Sequence, residues 1–243
     1  MSVESIVLAA AAAILVSASV SDVRSREISD AHWVVLGTMG TVMALLTGDI
    51  PGGMLCAAGY LMLMLSMFSG RVRGRTSAAV AAAGLVLLLA SSAAASSPYP
   101  AVTAVMASLF LGMFLLGTMK GGADVKALVT LSFMFPAYPE LPYVLWDPVY
   151  PAGLVFNPVF SAFFIAVILS AVYAAAVDLR RSGGTRISSY VTDREDAEKS
   201  FVWVLEEIDA DHVRVSLMIP FLVPLTIGFL ITMVLGSPLF AFV

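Results

Sequence analysis

The chain alternates long, nearly uninterrupted apolar runs with short polar loops. A run of about 17–25 apolar residues is long enough to cross a bilayer as a helix. The pattern predicts eight segments: Val3–Val20, Ala31–Thr47, Gly53–Ser69, Ser77–Ala95, Ala101–Thr118, Asp124–Pro136, Pro158–Val177 and Val215–Phe240. The sixth is short and stops at Pro136, so a half-helix fits it equally well.

Residues 178–214 form the long polar stretch between the last two runs. The pattern predicts a short strand at Ile187–Val191 and a helix at Asp193–Ile208, capped by Asp193. About 37 residues are too few for an independent core, so we expect this segment to pack against the membrane part. The predicted organisation is therefore transmembrane helices at 1–177, a small cytoplasmic segment at 178–214 and a C-terminal helix at 215–243.

Composition decides between a soluble and a membrane fold. The chain is 60% hydrophobic and 12% charged, with a mean hydropathy of +0.95, whereas soluble domains carry about 25% charged residues. We predict an all-α, polytopic transmembrane helical bundle of six to eight spans. The net charge of −4 argues against nucleic acid as a partner.

Basic residues orient this layout. All thirteen Lys and Arg residues fall in loops on one side, at 21–30, 70–76, 119–126 and 178–214. The loops on the other side carry Asp49, Glu140 and Asp147 and no basic residue. The positive-inside rule therefore predicts a multi-pass protein of the cytoplasmic membrane with its N-terminus outside and its basic loops in the cytoplasm.

Two aspartates at the predicted cytoplasmic side are candidates for chemistry. Asp22 follows the first apolar run, and Asp124 opens the sixth, directly after two glycines. Two carboxyl groups that share one proton titrate apart, leaving one acid and one base. Hydrolysis of a peptide bond without a metal needs such a pair, because water must lose a proton while the carbonyl oxygen gains one.

A purely structural interpretation of these acids stays open. Asp22 is placed to pair with Arg26, four residues along a helix, and Asp124 is placed to cap the sixth helix. Asp30 is placed to cap the second helix. Four basic side chains are either interface anchors or electrostatic restraints on the acids: Arg24, Arg26, Lys120 and Lys126.

These residues resemble a known family. Asp22-x-Arg24-x-Arg26-x-Ile28 after a first helix, with Gly121-Gly122-Ala123-Asp124 opening a later one, resembles the archaeal preflagellin peptidases. Those enzymes belong with the type IV prepilin peptidases among the Gly-x-Gly-Asp aspartic proteases. The resemblance implies that Asp22 and Asp124 are catalytic and that neither metal nor cofactor is used. It further implies substrate-binding roles for Lys120, Gly121, Gly122 and Ala123.

The same resemblance implies a substrate and a cleavage site. The partner is a preflagellin or prepilin-like precursor, cut on the cytoplasmic side before the hydrophobic segment of its signal peptide. The chain departs from the family pattern in two ways. Ala123 stands where the wider family has a second glycine, and the chain has room for four spans between the aspartates instead of two. We interpret the excess as one inserted helical pair within 53–118.

Other functions remain as alternatives. The stretch around Pro220 and Pro224 weakly resembles the Pro-Ala-Leu element of presenilin-like intramembrane aspartic proteases. A small proton-coupled transporter would use the same aspartates as relay groups, and an inactive assembly subunit would use neither. A zinc protease is disfavoured because His32 and His212 lack the spacing of a His-Glu-x-x-His motif. We also expect helix movement to be needed before the two aspartates act together.

Overall fold

The computed structural model describes residues 3–47, 50–68, 74–139, 156–182, 190–195, 202–208 and 212–237. The helices are α1 (Val3–Ser25), α2 (Ala31–Thr47), α3 (Ile50–Phe68), α4 (Arg75–Ala94), α5 (Tyr99–Leu115), α6 (Gly122–Met134), α7 (Pro158–Ser182) and α8 (Leu222–Leu235). The strands are β1 (Tyr190–Asp193), β2 (Val202–Glu207) and β3 (His212–Leu217). The helical elements thus follow the apolar runs.

Among the described residues, four helices are long and apolar enough to cross a membrane, namely α1, α3, α4 and the Pro158–Val177 part of α7. The apolar helices α2, α5 and α8 are shorter. Large apolar side chains such as Leu65 and Val172 are more than half exposed on the outside of the bundle. A bilayer, unlike water, accepts such a surface without cost, so the fold is compatible with a multi-pass membrane protein.

Helix α6 lies in the centre of the bundle. It packs against α2, α3 and α5, and nearly every residue from Val125 to Phe133 is buried. The Tyr60 hydroxyl of α3 lies 3.1 Å from the Thr130 hydroxyl, and the Tyr60 ring stacks on Phe133 with centroids 4.1 Å apart. A helix that is apolar on all sides is stable only when surrounded, so this short segment is a core helix.

The α3–α4 contact depends on two glycines that face each other. A Cβ added to Gly59 would lie 2.8 Å from the Gly84 carbonyl oxygen, and one added to Gly84 would lie 2.7 Å from the Gly59 carbonyl oxygen. Small residues at a crossing let two helices in a membrane approach closely, which increases their van der Waals contact. This close crossing makes α3 and α4 one tightly packed helical hairpin.

The fold is predominantly helical, as predicted. The polar segment, for which one short strand and one helix were predicted, contains a three-stranded antiparallel sheet in the order β1-β3-β2. Strand β2 replaces the second half of the helix predicted at Asp193–Ile208. Asp193 ends β1, residues 194–195 directly after it are helical, and residues 196–201 of that prediction lie outside the described part of the chain. In β3, Val213 and Val215 are buried while His212 and Arg214 are exposed. This period-two alternation is typical of a half-buried strand, and pairing with β3 decides the conformation of β2.

The sheet also changes the boundary of the last predicted span. Residues Val215–Leu217 belong to β3, and α8 begins only at Leu222. The polar unit therefore extends past residue 214, the predicted boundary. At its other end α7 continues to Ser182. The predicted strand at Ile187–Val191 overlaps β1 only at Tyr190 and Val191, and its first three residues lie outside the described part of the chain.

Candidate active site

Asp22 lies in the last turn of α1 and is only 7% exposed. Its Oδ2 accepts a hydrogen bond of 3.2 Å from the backbone N–H of Leu222, the first residue of α8. Its Oδ1 lies 3.8 Å from Nη1 of Arg26. A buried carboxylate needs such partners because removal from water penalises its charge. The ion pair expected for Asp22 and Arg26 is therefore present, together with a contact from α8.

Arg26 follows the last residue of α1 and lies four residues beyond Asp22. Its φ of 57° lies in the left-handed region, which is unusual for a residue other than glycine. Its backbone N–H donates to the Asp22 carbonyl oxygen at 3.2 Å, as expected for a residue that ends a helix in this conformation. The spacing of four residues places the guanidinium near the carboxylate.

Asp124 lies in the first turn of α6, whose N-cap is Gly121. No side-chain hydrogen bond caps this helix at Gly121, so the capping role suggested for Asp124 is reduced to a favourable charge near the helix N-terminus. The Asp124 carboxyl group lies directly over the Gly121 Cα, where a Cβ would collide with it. Gly122 is exposed, and a Cβ there would meet nothing within 4 Å. The two glycines thus have different surroundings.

The fold brings Asp22 and Asp124 together from distant parts of the sequence. Their carboxyl groups are close enough for the charge of Asp22 to act on Asp124. Both oxygens of Asp22, however, face other groups, namely the Leu222 N–H and the Arg26 guanidinium. The pair is therefore coupled by charge, while the hydrogen bond to Asp22 comes from α8.

The two lysines near Asp124 differ in their surroundings, since Lys126 forms an ion pair and Lys120 is exposed. Nζ of Lys126 lies 2.6 Å from Oδ1 of Asp30 and 4.7 Å from the centre of the Phe68 ring. Asp30 therefore pairs with Lys126 through its side chain, while its backbone carbonyl accepts the first hydrogen bonds of α2. Lys120 is exposed in the loop before α6. Lys126 thus ties the start of α2 to the start of α6, beside Asp124.

Sequence reasoning missed the contribution of α8. The Ser19 hydroxyl donates to the Leu222 carbonyl oxygen at 3.0 Å and lies 2.8 Å from the Thr226 hydroxyl. The Thr226 hydroxyl in turn donates to the Leu15 carbonyl oxygen at 3.3 Å. Alternating small polar residues in α1 carried a weak signal, but nothing in the sequence linked them to a helix some 200 positions later.

A groove of about 410 Å³ lies between α1 and α8, and neither Asp22 nor Asp124 lines it. It is lined mainly by apolar side chains of both helices, with Arg24 among the lining residues. Ser19 and Val23, which flank Asp22 in α1, also line it. The groove therefore offers an apolar approach to the edge of the site.

The titratable side chains described at this site are Asp22, Asp124 and Arg26. Within the described ranges, no three His, Cys, Asp or Glu side chains form a cluster suited to a metal ion. Comparison with family models finds no match for this chain, and comparison with curated proteins finds none either. The arrangement of these residues, in a fold compatible with a multi-pass membrane protein, therefore carries the functional argument.

Proposed function

We propose that this protein is a membrane aspartic endopeptidase of the preflagellin and prepilin peptidase type. It removes class III signal peptides from preflagellin or prepilin-like precursors on the cytoplasmic side of the membrane. The observation that carries the proposal is that Asp22 and Asp124 lie within range of an electrostatic interaction. Placing two acids from separate helices close to each other costs free energy. Such a pair is therefore a candidate for a shared function.

The proposed reaction uses one carboxylate and one carboxylic acid. The carboxylate takes a proton from water, and the resulting hydroxide attacks the carbonyl carbon of the scissile peptide while the acid protonates the carbonyl oxygen. The tetrahedral intermediate then breaks its C–N bond, the nitrogen takes a proton and the dyad returns to its starting state. Water is the only co-reactant, and the atoms balance without a metal or cofactor.

The position of the dyad supports a substrate that enters from the membrane. The aspartates lie at the ends of apolar helices, and the groove between α1 and α8 is lined by Val23 and Arg24, which follow Asp22 directly in the sequence. An apolar peptide segment can approach along this groove while its polar end stays at the membrane surface. The scissile bond must be extended at the dyad, because a helix hides its carbonyl groups.

The test is cleavage of a preflagellin in membranes that contain the protein. Asp22→Asn and Asp124→Asn should each abolish cleavage, because either change removes one of the two proton-transfer groups. Glu27→Gln is the matched control, since Glu27 is an exposed acid five residues after Asp22. Protein level in the membrane is measured for every variant by immunoblot.

Three results would contradict the proposal. Wild-type protein that leaves the precursor intact argues against the peptidase. Activity in either aspartate variant argues against the dyad. Cleavage inside the hydrophobic segment, located by mass spectrometry of the product, would instead support the presenilin-like alternative.

A further inference from the structure

The N-terminal half of α8 is hydrogen-bonded to the last two turns of α1. Both backbone groups of Leu222 are used, since its carbonyl oxygen accepts from Ser19 at 3.0 Å and its N–H donates to Asp22 at 3.2 Å. One turn further along α8, the Thr226 hydroxyl contacts the Ser19 hydroxyl and the Leu15 carbonyl oxygen. We call Ser19 and Thr226 the hydroxyl clasp.

The clasp lies where it can fix the position of Asp22. Ser19 precedes Asp22 by three residues in α1, and Thr226 follows Leu222 by four in α8, so both pairs are neighbours on one helix face. If α8 slid or rotated on α1, the clasp would break and the Leu222 N–H would move away from Asp22 at the same time. The separation of that donor from the carboxylate is therefore set by the hydroxyl contacts.

Apolar packing alone would not define this register. The rest of the α1–α8 contact consists of side chains such as Leu15, Leu222 and Leu225, and aliphatic surfaces fit one another in several registers. Hydrogen bonds between helices in a membrane add little stability on average. They do have strict distance and angle requirements, so their main consequence here is geometric.

We propose that α8 is a third component of the dyad site and that Thr226 is a positioning residue. Through the clasp, Thr226 holds the Leu222 N–H on Asp22 and thereby keeps this carboxyl group aligned for catalysis. The proposal rests on the proposed peptidase function for its kinetic consequence only. The structural consequence is that the Leu222 N–H protects Asp22, and this does not depend on which reaction the protein catalyses.

Thr226→Val removes the hydroxyl and keeps the shape of the side chain. It leaves no buried donor stranded, because Ser19 still donates to Leu222 and the Leu15 carbonyl still accepts its own helical N–H. The Ser19–Leu222 bond alone does not prevent rotation of α8 on α1, so the Leu222 N–H can move away from Asp22. Thr226→Ser keeps the hydroxyl. The matched control is Thr232→Val in the same helix, since Thr232 is fully buried and its hydroxyl has no hydrogen-bond partner within the described residues.

The first measurement is precursor cleavage with purified protein in lipid vesicles. Thr226→Val should lower kcat by roughly 10-fold to 100-fold with little change in KM, because a displaced catalytic group costs rate more than substrate affinity. Thr226→Ser and Thr232→Val should keep wild-type kcat, and all variants should unfold at similar temperatures. Equal kcat in Thr226→Val and Thr232→Val would overturn the inference, as would loss of kcat in Thr226→Ser.

The second measurement does not depend on activity. Dicyclohexylcarbodiimide labels carboxyl groups in membranes, and mass spectrometry locates the label on Asp22. Labelling of Asp22 should rise severalfold in Thr226→Val and stay unchanged in Thr232→Val, because only the first frees this carboxyl group. If wild-type protein fails to cleave but this difference is found, the peptidase is rejected and the clasp stands. Identical labelling in both variants rejects the clasp alone.

Discussion

Replacing Gly121 by alanine will crowd the Asp124 carboxyl group. The new Cβ would lie 2.8 Å from Cγ of Asp124 and closer still to its Oδ2, whereas nonbonded carbon atoms normally stay about 3.5–4.0 Å apart. The carboxyl group must therefore shift by about 1 Å to restore normal contact. The backbone itself needs no adjustment, since φ −83° and ψ 113° at Gly121 are accessible to alanine.

This shift predicts a loss of activity without a comparable loss of stability. A misplacement of about 1 Å can lower the rate by about 10²-fold, so kcat/KM for precursor cleavage should fall to about a hundredth. The free energy of unfolding should change by no more than about 1 kcal/mol, because alanine restricts the unfolded chain and the half-buried Asp124 can turn aside. Cleavage kinetics and thermal unfolding in detergent measure the two effects separately.

Two further alanine substitutions separate this effect from other causes. Gly112 lies in α5 and its added Cβ would meet nothing within 4 Å, so Gly112→Ala should keep full activity. A Cβ added at Gly122 also meets nothing within 4 Å in the protein itself. A loss of activity in Gly122→Ala would therefore indicate contact with the substrate. A Gly121→Ala protein that cleaves as fast as Gly112→Ala would refute the reasoning about Asp124.

Two other predictions concern the packing around the site. Gly84→Ala should destabilise the protein by about 1–3 kcal/mol, because its Cβ would meet the Gly59 carbonyl oxygen at 2.7 Å. An unfolding temperature equal to that of Gly112→Ala would contradict this prediction. Lys126→Met should lower stability by only about 0.2–1 kcal/mol, because Asp30 is half exposed to solvent. A double-mutant cycle with Asp30→Asn measures that coupling, and a value of several kcal/mol would refute it.

The helical part of the fold could be predicted from hydrophobic runs alone. The predicted second segment coincides with α2, and six others lie within a few residues of their helices. Runs of this length leave the backbone no alternative in an apolar environment, because every peptide group must bond within its own helix. The polar segment lacked that constraint. Its residues Val202–Leu205 suit a strand or a helix equally well by pattern, and the pairing of β2 with β3 decides between them.

The two aspartates of the candidate site could be selected from the sequence, whereas their surroundings could not. Asp22 and Asp124 were identified from their positions beside apolar runs, and the contact between Asp22 and Arg26 follows from helical spacing. The contact between the Leu222 N–H and Asp22 was not predictable, because it involves a backbone donor without a sequence signature. Gly121 and Gly122 are equivalent in sequence, and only the position of the Asp124 carboxyl group distinguishes them.

The two aspartates belong to two differently packed groups of helices. Asp124 is carried by α6, which is embedded among α2, α3 and α5, whereas Asp22 is carried by α1, which packs mainly on α8. Helix α8 in turn packs extensively on α7. Contacts of α6 with α7 and of α1 with α2 join the two groups, so the separation of the carboxyl groups depends on how the groups meet. A small displacement between packed bodies changes such a separation without disturbing either core. This arrangement gives the predicted helix movement a physical route, because the pair can close or open while α6 and the clasp on α1 both stay intact.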